Sequence, residues 1–301
     1  MKTAFPIVLK VIVLAIILFI CFAVAGGVIG QQGTSPTPGQ TGAAGALLAV
    51  CFLNSLVLTH IILRSRWAGW RLIATVFFVF YGVMTFMSQI ESAVFITRLP
   101  SGMLPRLFLM GALIAAPFSV LAVLILGKRK ADPMNTERNT RLVMPTGEWA
   151  WKLAVIALAY LIVYFTFGYF IAWRNPGVRE YYGGIDEGGF FAHLGTVLGD
   201  TFGLIPFQVL RAMFWAVLAM PVIRMMRGRW PETALAIGLL FAVLMNAQLL
   251  LPNPYMPEAV RMTHLIETAS SNLIFGLLVG WLLTQRHEFA KVAIAQHKGA
   301  G

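Results

Sequence analysis

About eight runs of roughly 20 or more apolar residues, joined by short connectors, leave this chain few ways to fold. They cover approximately 6–30, 44–63, 69–96, 103–127, 149–173, 203–226, 231–251 and 257–284. In hydrocarbon every backbone N–H and C=O must be satisfied within the protein, so runs of this length cross the bilayer as helices. The pattern predicts an all-α, polytopic membrane helix bundle, one transmembrane domain over 1–301. Composition agrees. Hydrophobic residues make up 58% of the chain and charged residues 12%, where a soluble domain is about a quarter charged.

The net charge of +11 does not point to nucleic acid. The basic residues sit in short blocks between apolar runs, and no basic surface interleaved with aromatics is left to read bases. Those blocks orient the chain instead. With the N-terminus inside, every lysine and most arginines fall in inner connectors, while Arg98, Arg106, Arg174, Arg179, Arg211 and Arg261 remain outside. Each inner connection is then richer in Lys and Arg than each short outer one, as the positive-inside rule requires. The reading is a multi-pass protein of the cell (cytoplasmic) membrane with both termini cytoplasmic. Lys2 and the apolar run ending near Ala25 resemble a signal sequence, but the run is longer than a cleavable core and reads as an uncleaved first helix. Cys21 and Cys51 lie inside apolar runs with no CxxC partner, so they read as small buried hydrophobes.

The connectors carry turn chemistry. Gln31 to Gly42 is an uncharged Gly/Pro/Thr/Ser/Gln linker, and Pro252-Asn253-Pro254 cannot continue a helix. The inner turns Arg64-Ser-Arg66-Trp67 and Arg227-Gly-Arg229-Trp230 echo one another. Two tandem halves of the same orientation, 1–127 and 149–284, would explain this, although basic-aromatic turns are also ordinary interfacial anchors. The long outer segment 174–202 places Phe190, Phe191, Leu194, Val197, Leu198 and Phe202 at helical spacing, with His193, Thr196 and Asp200 on the other side. This predicts a short interfacial helix in the outer 5–6 loop.

An ionisable residue inside a membrane helix is a functional candidate by default. The last run is densest: Arg261, His264, Glu267, Thr268, Ser271 and Asn272 share an arc of about 140° at 100° per residue. Gln89 and Glu91 on the third run, Gln208 and Arg211 on the sixth, and Asn246 and Gln248 on the seventh lie at similar outer depth. The expectation is an outward-facing polar pocket whose binding residues are Arg211, Arg261, His264, Glu267, Gln208, Glu91 and Gln89. An arginine fork matches carboxylate or phosphate with two hydrogen bonds, so the expected ligand is an anionic small molecule or a lipid headgroup. No metal and no cofactor are expected, because HExxH and paired ExxH motifs are absent and nearby arginines oppose a cation. Three function classes follow: a transporter or ligand-binding membrane protein, proton-coupled through Glu267 or Glu91; a membrane-embedded enzyme with His264 as general base; and an accessory subunit whose polar groups only tie helices together.

Overall fold

A computed structural model of the chain describes residues 4–29, 42–96, 100–130 and 140–285. The 31–42 linker up to residue 41, Arg98 and the tail after 285 therefore lie outside the described residues. Among the described residues, eight helices are long and apolar enough to span a membrane. They are α1 (Ala4–Ile29), α2 (Ala43–Leu63), α3 (Gly69–Phe95), α4 (Met103–Ile125), α5 (Thr146–Trp173), α8 (Leu204–Met225), α9 (Trp230–Leu250) and α10 (Glu258–Thr284). Two short helices, α6 (Pro176–Tyr182) and α7 (Phe190–Asp200), fill the segment between α5 and α8. The chain is thus an all-α polytopic membrane bundle with boundaries close to those expected. Sequence reading anticipated α7 but not α6, which Asn175 caps by accepting from the Gly177 N–H at 2.9 Å, with Pro176 at the first helical position.

Helix α1 packs on α2 and α4, and α3 packs on α4. In the second half α5 packs on α8 and α10, and α9 packs on α10. The halves meet where α2 touches α9 and α3 touches α8. Exchanging the halves carries each of these contacts onto another. The two echoing turns meet at one end of the bundle: Arg66 N–H donates to Met225 O at 2.7 Å and Arg227 N–H to Arg64 O at 2.8 Å, an antiparallel bridge between Ser65 and Met226. We call this the basic end.

The closest packing joins α9 and α10. A Cβ on Gly276 would stand 2.7 Å from Gly238 Cα, and one on Gly280 would stand 2.4 Å from Ala234 Cα. Small residues four apart let two backbones approach this closely, which is how helices gain dispersion contact in lipid. The largest aromatic side chains fully buried in the core are Trp215, Phe80, Phe118, Phe241 and Phe275. Cys21 and Cys51 are buried and unbridged. Apolar side chains such as Val24, Leu158, Ile162 and Phe170 are exposed outward, where lipid would meet them.

Three spanning helices are interrupted by a π-turn: Gly82–Phe86 in α3, Gly168–Trp173 in α5 and Leu240–Leu244 in α9. Each adds a residue to a turn and re-phases the helix beyond it, and such turns recur at functional sites.

Candidate functional site

Glu91 follows the π-turn of α3, and Gln208 and Arg211 lie one turn apart on α8. The fork is made here: Arg211 Nη2 donates to Glu91 Oε2 at 2.8 Å and Nη1 to Oε1 at 3.3 Å. Nη1 also donates to Gln208 Oε1 at 3.1 Å. The Arg211 side chain is 2% exposed and the Glu91 side chain 28%. The guanidinium lies 5.7 Å from the Tyr160 ring and 5.8 Å from the Phe207 ring, close enough for cation–π attraction. Arg211 Nε, Gln208 Nε2 and Gln89 Oε1 are buried with no hydrogen-bond partner, so the pair does not exhaust its surroundings' polar capacity.

Helix α10 brings the second group. His264 Nδ1 lies 2.7 Å from Glu267 Oε2, and Tyr182 OH lies 3.2 Å from His264 Nε2. Burial first, then the Glu91 carboxylate, pushes the Tyr182 phenol above its ordinary range, so it stays protonated and can donate. When it donates to Nε2, the ring proton belongs on Nδ1 and is shared with Glu267; a protonated ring instead donates from both nitrogens. Tyr182 is held over α10 by its own short helix. Tyr181 OH donates to Tyr255 O at 2.7 Å and Asn175 Nδ2 to Thr263 Oγ1 at 2.6 Å. Gly168, at the start of the α5 π-turn, faces Glu267: a Cβ there would lie 3.7 Å from Oε1.

Helix α5 stands beside both groups, with the Tyr160 ring against Arg211 and Gly168 beside Glu267. Arg211 is joined to Glu91 and Gln208, and His264 to Glu267 and Tyr182, while Gln89, two residues before Glu91, lies on another face of α3. Arg261 is used differently. It is buried, and its Nη1 donates to Leu249 O and Leu251 O, both at 2.8 Å, closing the free carbonyls at the end of α9. Asn246 and Gln248 also serve backbone. Gln248 Nε2 donates to Met84 O at 3.0 Å and Ser88 Oγ at 2.8 Å, reaching the carbonyl of the α3 π-turn, and Asn246 Nδ2 donates to Ala242 O at 2.9 Å in the α9 π-turn. Irregular backbone at membrane depth needs such partners.

The sequence reading missed Tyr160 and Tyr182. Tyr160 and Tyr164 are four apart on one helix face, a signal that was available. Tyr182 reaches His264 only through α6. His193, on the side of the interfacial helix opposite the apolar residues, is buried against Trp173, their rings 4.6 Å apart, while Phe191 is exposed. An apolar face turned outward is what a helix resting on lipid needs. His193 Nδ1 and the Trp173 indole N–H both lie 3.1 Å from Glu187 Oε2. Among the described residues no group of three or more His, Cys, Asp or Glu is placed to hold a metal ion.

No protein-family model matches the chain, and no curated protein or solved structure matches it either. The functional reading therefore rests on geometry alone.

Proposed function

We propose that this integral membrane protein is a proton-linked transporter or ligand-binding protein for an anionic small molecule or lipid headgroup, with the basic end cytoplasmic and the site opening to the other side. One observation carries the reading: Arg211, buried within a spanning helix, is forked onto a partly exposed carboxylate, Glu91, and keeps an unpartnered Nε. A carboxylate or phosphate ligand is chemically a replacement for Glu91. Protonating Glu91 removes its charge and frees the fork, so ligand and proton enter together and net charge in the site is conserved. Gln208 Nε2 is an uncommitted donor beside the fork, and the His264–Glu267 pair supplies a second protonatable group. The π-turns support the reading, since they give the helices around the site alternative backbone registers. Two same-orientation halves, 1–127 and 149–284, belong to the same proposal and are supported by the exchange-invariant packing.

A second reading, a membrane-embedded enzyme, is favoured by the Tyr182–His264–Glu267 chain, in which a carboxylate orients an imidazole toward a hydroxyl. A third, an accessory subunit, is favoured by Arg261, whose bonds to backbone carbonyls are purely structural.

The test uses protein in liposomes loaded with a pH-sensitive dye and given an acid-outside gradient with succinate, aspartate, phosphate or glycerol phosphate. The expected result is anion-dependent proton uptake by the wild type that is absent in the Glu91→Gln/Arg211→Gln double variant. Wild-type uptake equal to that of empty liposomes for every anion overturns the proposal. Chemical turnover of an anion, lost in His264→Asn, moves the assignment to the enzyme.

A further inference from the structure

Two arginine–glutamate forks join the halves of this molecule, and they lie toward opposite ends of it. One is the Arg211–Glu91 pair of α8 and α3. The other is at the basic end, where Arg64, directly after α2, is forked onto Glu232 in the first turn of α9. Its Nη2 donates to Oε2 at 2.6 Å and its Nε to Oε1. These side chains are 44% and 29% exposed. In chain order α2 and α8 are the second spanning helix of their halves, and α3 and α9 the third. The α2–α9 and α3–α8 contacts are therefore counterparts, and each carries its arginine on the second helix and its glutamate on the third. They differ in depth. Arg64 and Glu232 stand at the turns, whereas Glu91 is near the far end of α3 and Arg211 in the far half of α8.

The surroundings of the Arg64 fork close that end. The Ser65–Met226 bridge runs beside it, both residues fully buried. Gly228, at φ +91°, leaves room for the fork: a Cβ there would stand 2.2 Å from Glu232 Oε2 and 3.0 Å from Arg64 Nη2. Basic side chains from either side of the connection between the halves hold the two turns. Lys128, after α4, donates from Nζ to Ser65 O at 2.7 Å. Arg141, before α5, donates from Nη1 to Met226 O at 3.3 Å and to Thr233 Oγ1 at 2.9 Å. A partly exposed ion pair contributes little to stability, so the fork is a weak staple for a permanent joint. It suits a joint that parts and re-forms.

We propose that the Arg64–Glu232 fork is the gate at the basic end of an alternating-access cycle, and that the Arg211–Glu91 fork is the opposite gate. The inference rests on the transport reading and adds its moving parts. Rocking of one half against the other, about an axis between the two counterpart contacts, loosens one fork while it compresses the other. Both forks are made in this structure, so it shows the state between the two openings.

Single cysteines report each end in protein whose Cys21 and Cys51 are replaced by alanine. Ser65→Cys reports the basic end, and Met87→Cys, one turn before Glu91, reports the other; both positions are fully buried. The full chain in lipid nanodiscs, open to both faces, is treated with a charged methanethiosulfonate, and the modification rate is read by mass spectrometry. Glu232→Gln is expected to speed modification at Ser65→Cys about fivefold, the population shift that loss of one partly exposed pair gives. Met87→Cys should be unchanged or slower. Arg64→Gln does the same, and the double variant reacts no faster than either single one. If Ser65→Cys does not fold, Met226→Cys, on the other side of the bridge, is read in its place. An unchanged rate at the basic end overturns the gate. Acceleration of both reporters together also overturns it, because that is general loosening and not alternation. A multiplied effect in the double variant does so too, since the two side chains would then act separately. Thiol reactivity needs no transported anion, so a wild type without proton uptake removes the transport reading and leaves these rates to decide the gate.

Discussion

Arg211 and Glu91 form the charged contact on which most of the functional argument depends; losing Glu91 strands the buried guanidinium, whereas losing Arg211 leaves a carboxylate that is 28% exposed. Glu91→Gln is expected to destabilise the protein in detergent by about 3–5 kcal/mol and Arg211→Gln by less, with partial recovery in the double variant. Thermal unfolding of the four proteins measures this, and additive losses would show that the two side chains do not interact. Glu187 gives a separate expectation outside the membrane. Burial raises its carboxyl, but the backbone N–H, the Trp173 indole and His193 together outweigh this, and the net shift is downward from 4.5. A depressed carboxyl stabilises fully above its unfolded value and loses that contribution as pH falls through the lower folded value. The 183–200 segment should therefore hold at pH 6 and loosen below about pH 4.5, read as faster amide exchange there, with the transition removed in Glu187→Gln. Glu91, Gln208, Arg211, His264 and Glu267 were legible as candidates because ionisable groups inside apolar runs are conspicuous. The partner of each was not. Arg261 looks identical to Arg211 in sequence, and only the free carbonyls at Leu249 and Leu251, created by the break at Pro252, show that it is a cap.

Among the elements, α9 and α10 form the tightest unit. Gly276→Ala and Gly280→Ala push a methyl into backbone, which cannot yield as a side-chain tip would. Overpacking of this kind costs about 1–3 kcal/mol. Melting temperatures should fall in both variants. Gly26→Ala, where a Cβ would meet nothing within 4 Å, should leave stability unchanged. A loss at Gly26 equal to that at Gly276 would mean that helix flexibility rather than contact is being measured. The spanning helices were legible from length and hydropathy to within a few residues. Their π-turns were not, since Gly82–Phe86 and Leu240–Leu244 are ordinary apolar sequence. Helix α6 was hidden by its length, although Asn175-Pro176 is a plain capping signal.

Across the whole molecule, the charge asymmetry predicts that the basic end faces the cytoplasm. Single cysteines at Ile185 and Asn253, both exposed, should react with a membrane-impermeant thiol reagent in intact cells, and one at Val143 should react only after the membrane is opened. Labelling of Val143 from outside would reverse the orientation and put the Arg211 site toward the cytoplasm. The count of eight helices was legible because an odd number would have inverted the Lys and Arg pattern downstream. The internal echo was visible only as two four-residue turns. That these turns hydrogen-bond each other depends on how the halves pack, which no local pattern encodes.

The π-turn in α3 makes the site sensitive to residue number as well as residue type. Deleting Val83 removes the extra residue together with the bulge, so Gly82–Phe86 closes as ordinary α-helix and everything beyond it keeps its phase. Glu91 would still point at Arg211, and the deletion should leave stability and proton uptake close to those of the wild type. Inserting one residue between Met87 and Ser88, where no second bulge absorbs it, turns Glu91 by about 100° away from Arg211 and should mimic Glu91→Gln. In any comparison of this chain with a relative, one residue fewer in α3 is therefore compatible with an intact charged centre, whereas one residue more marks a change there, although every charged residue still aligns.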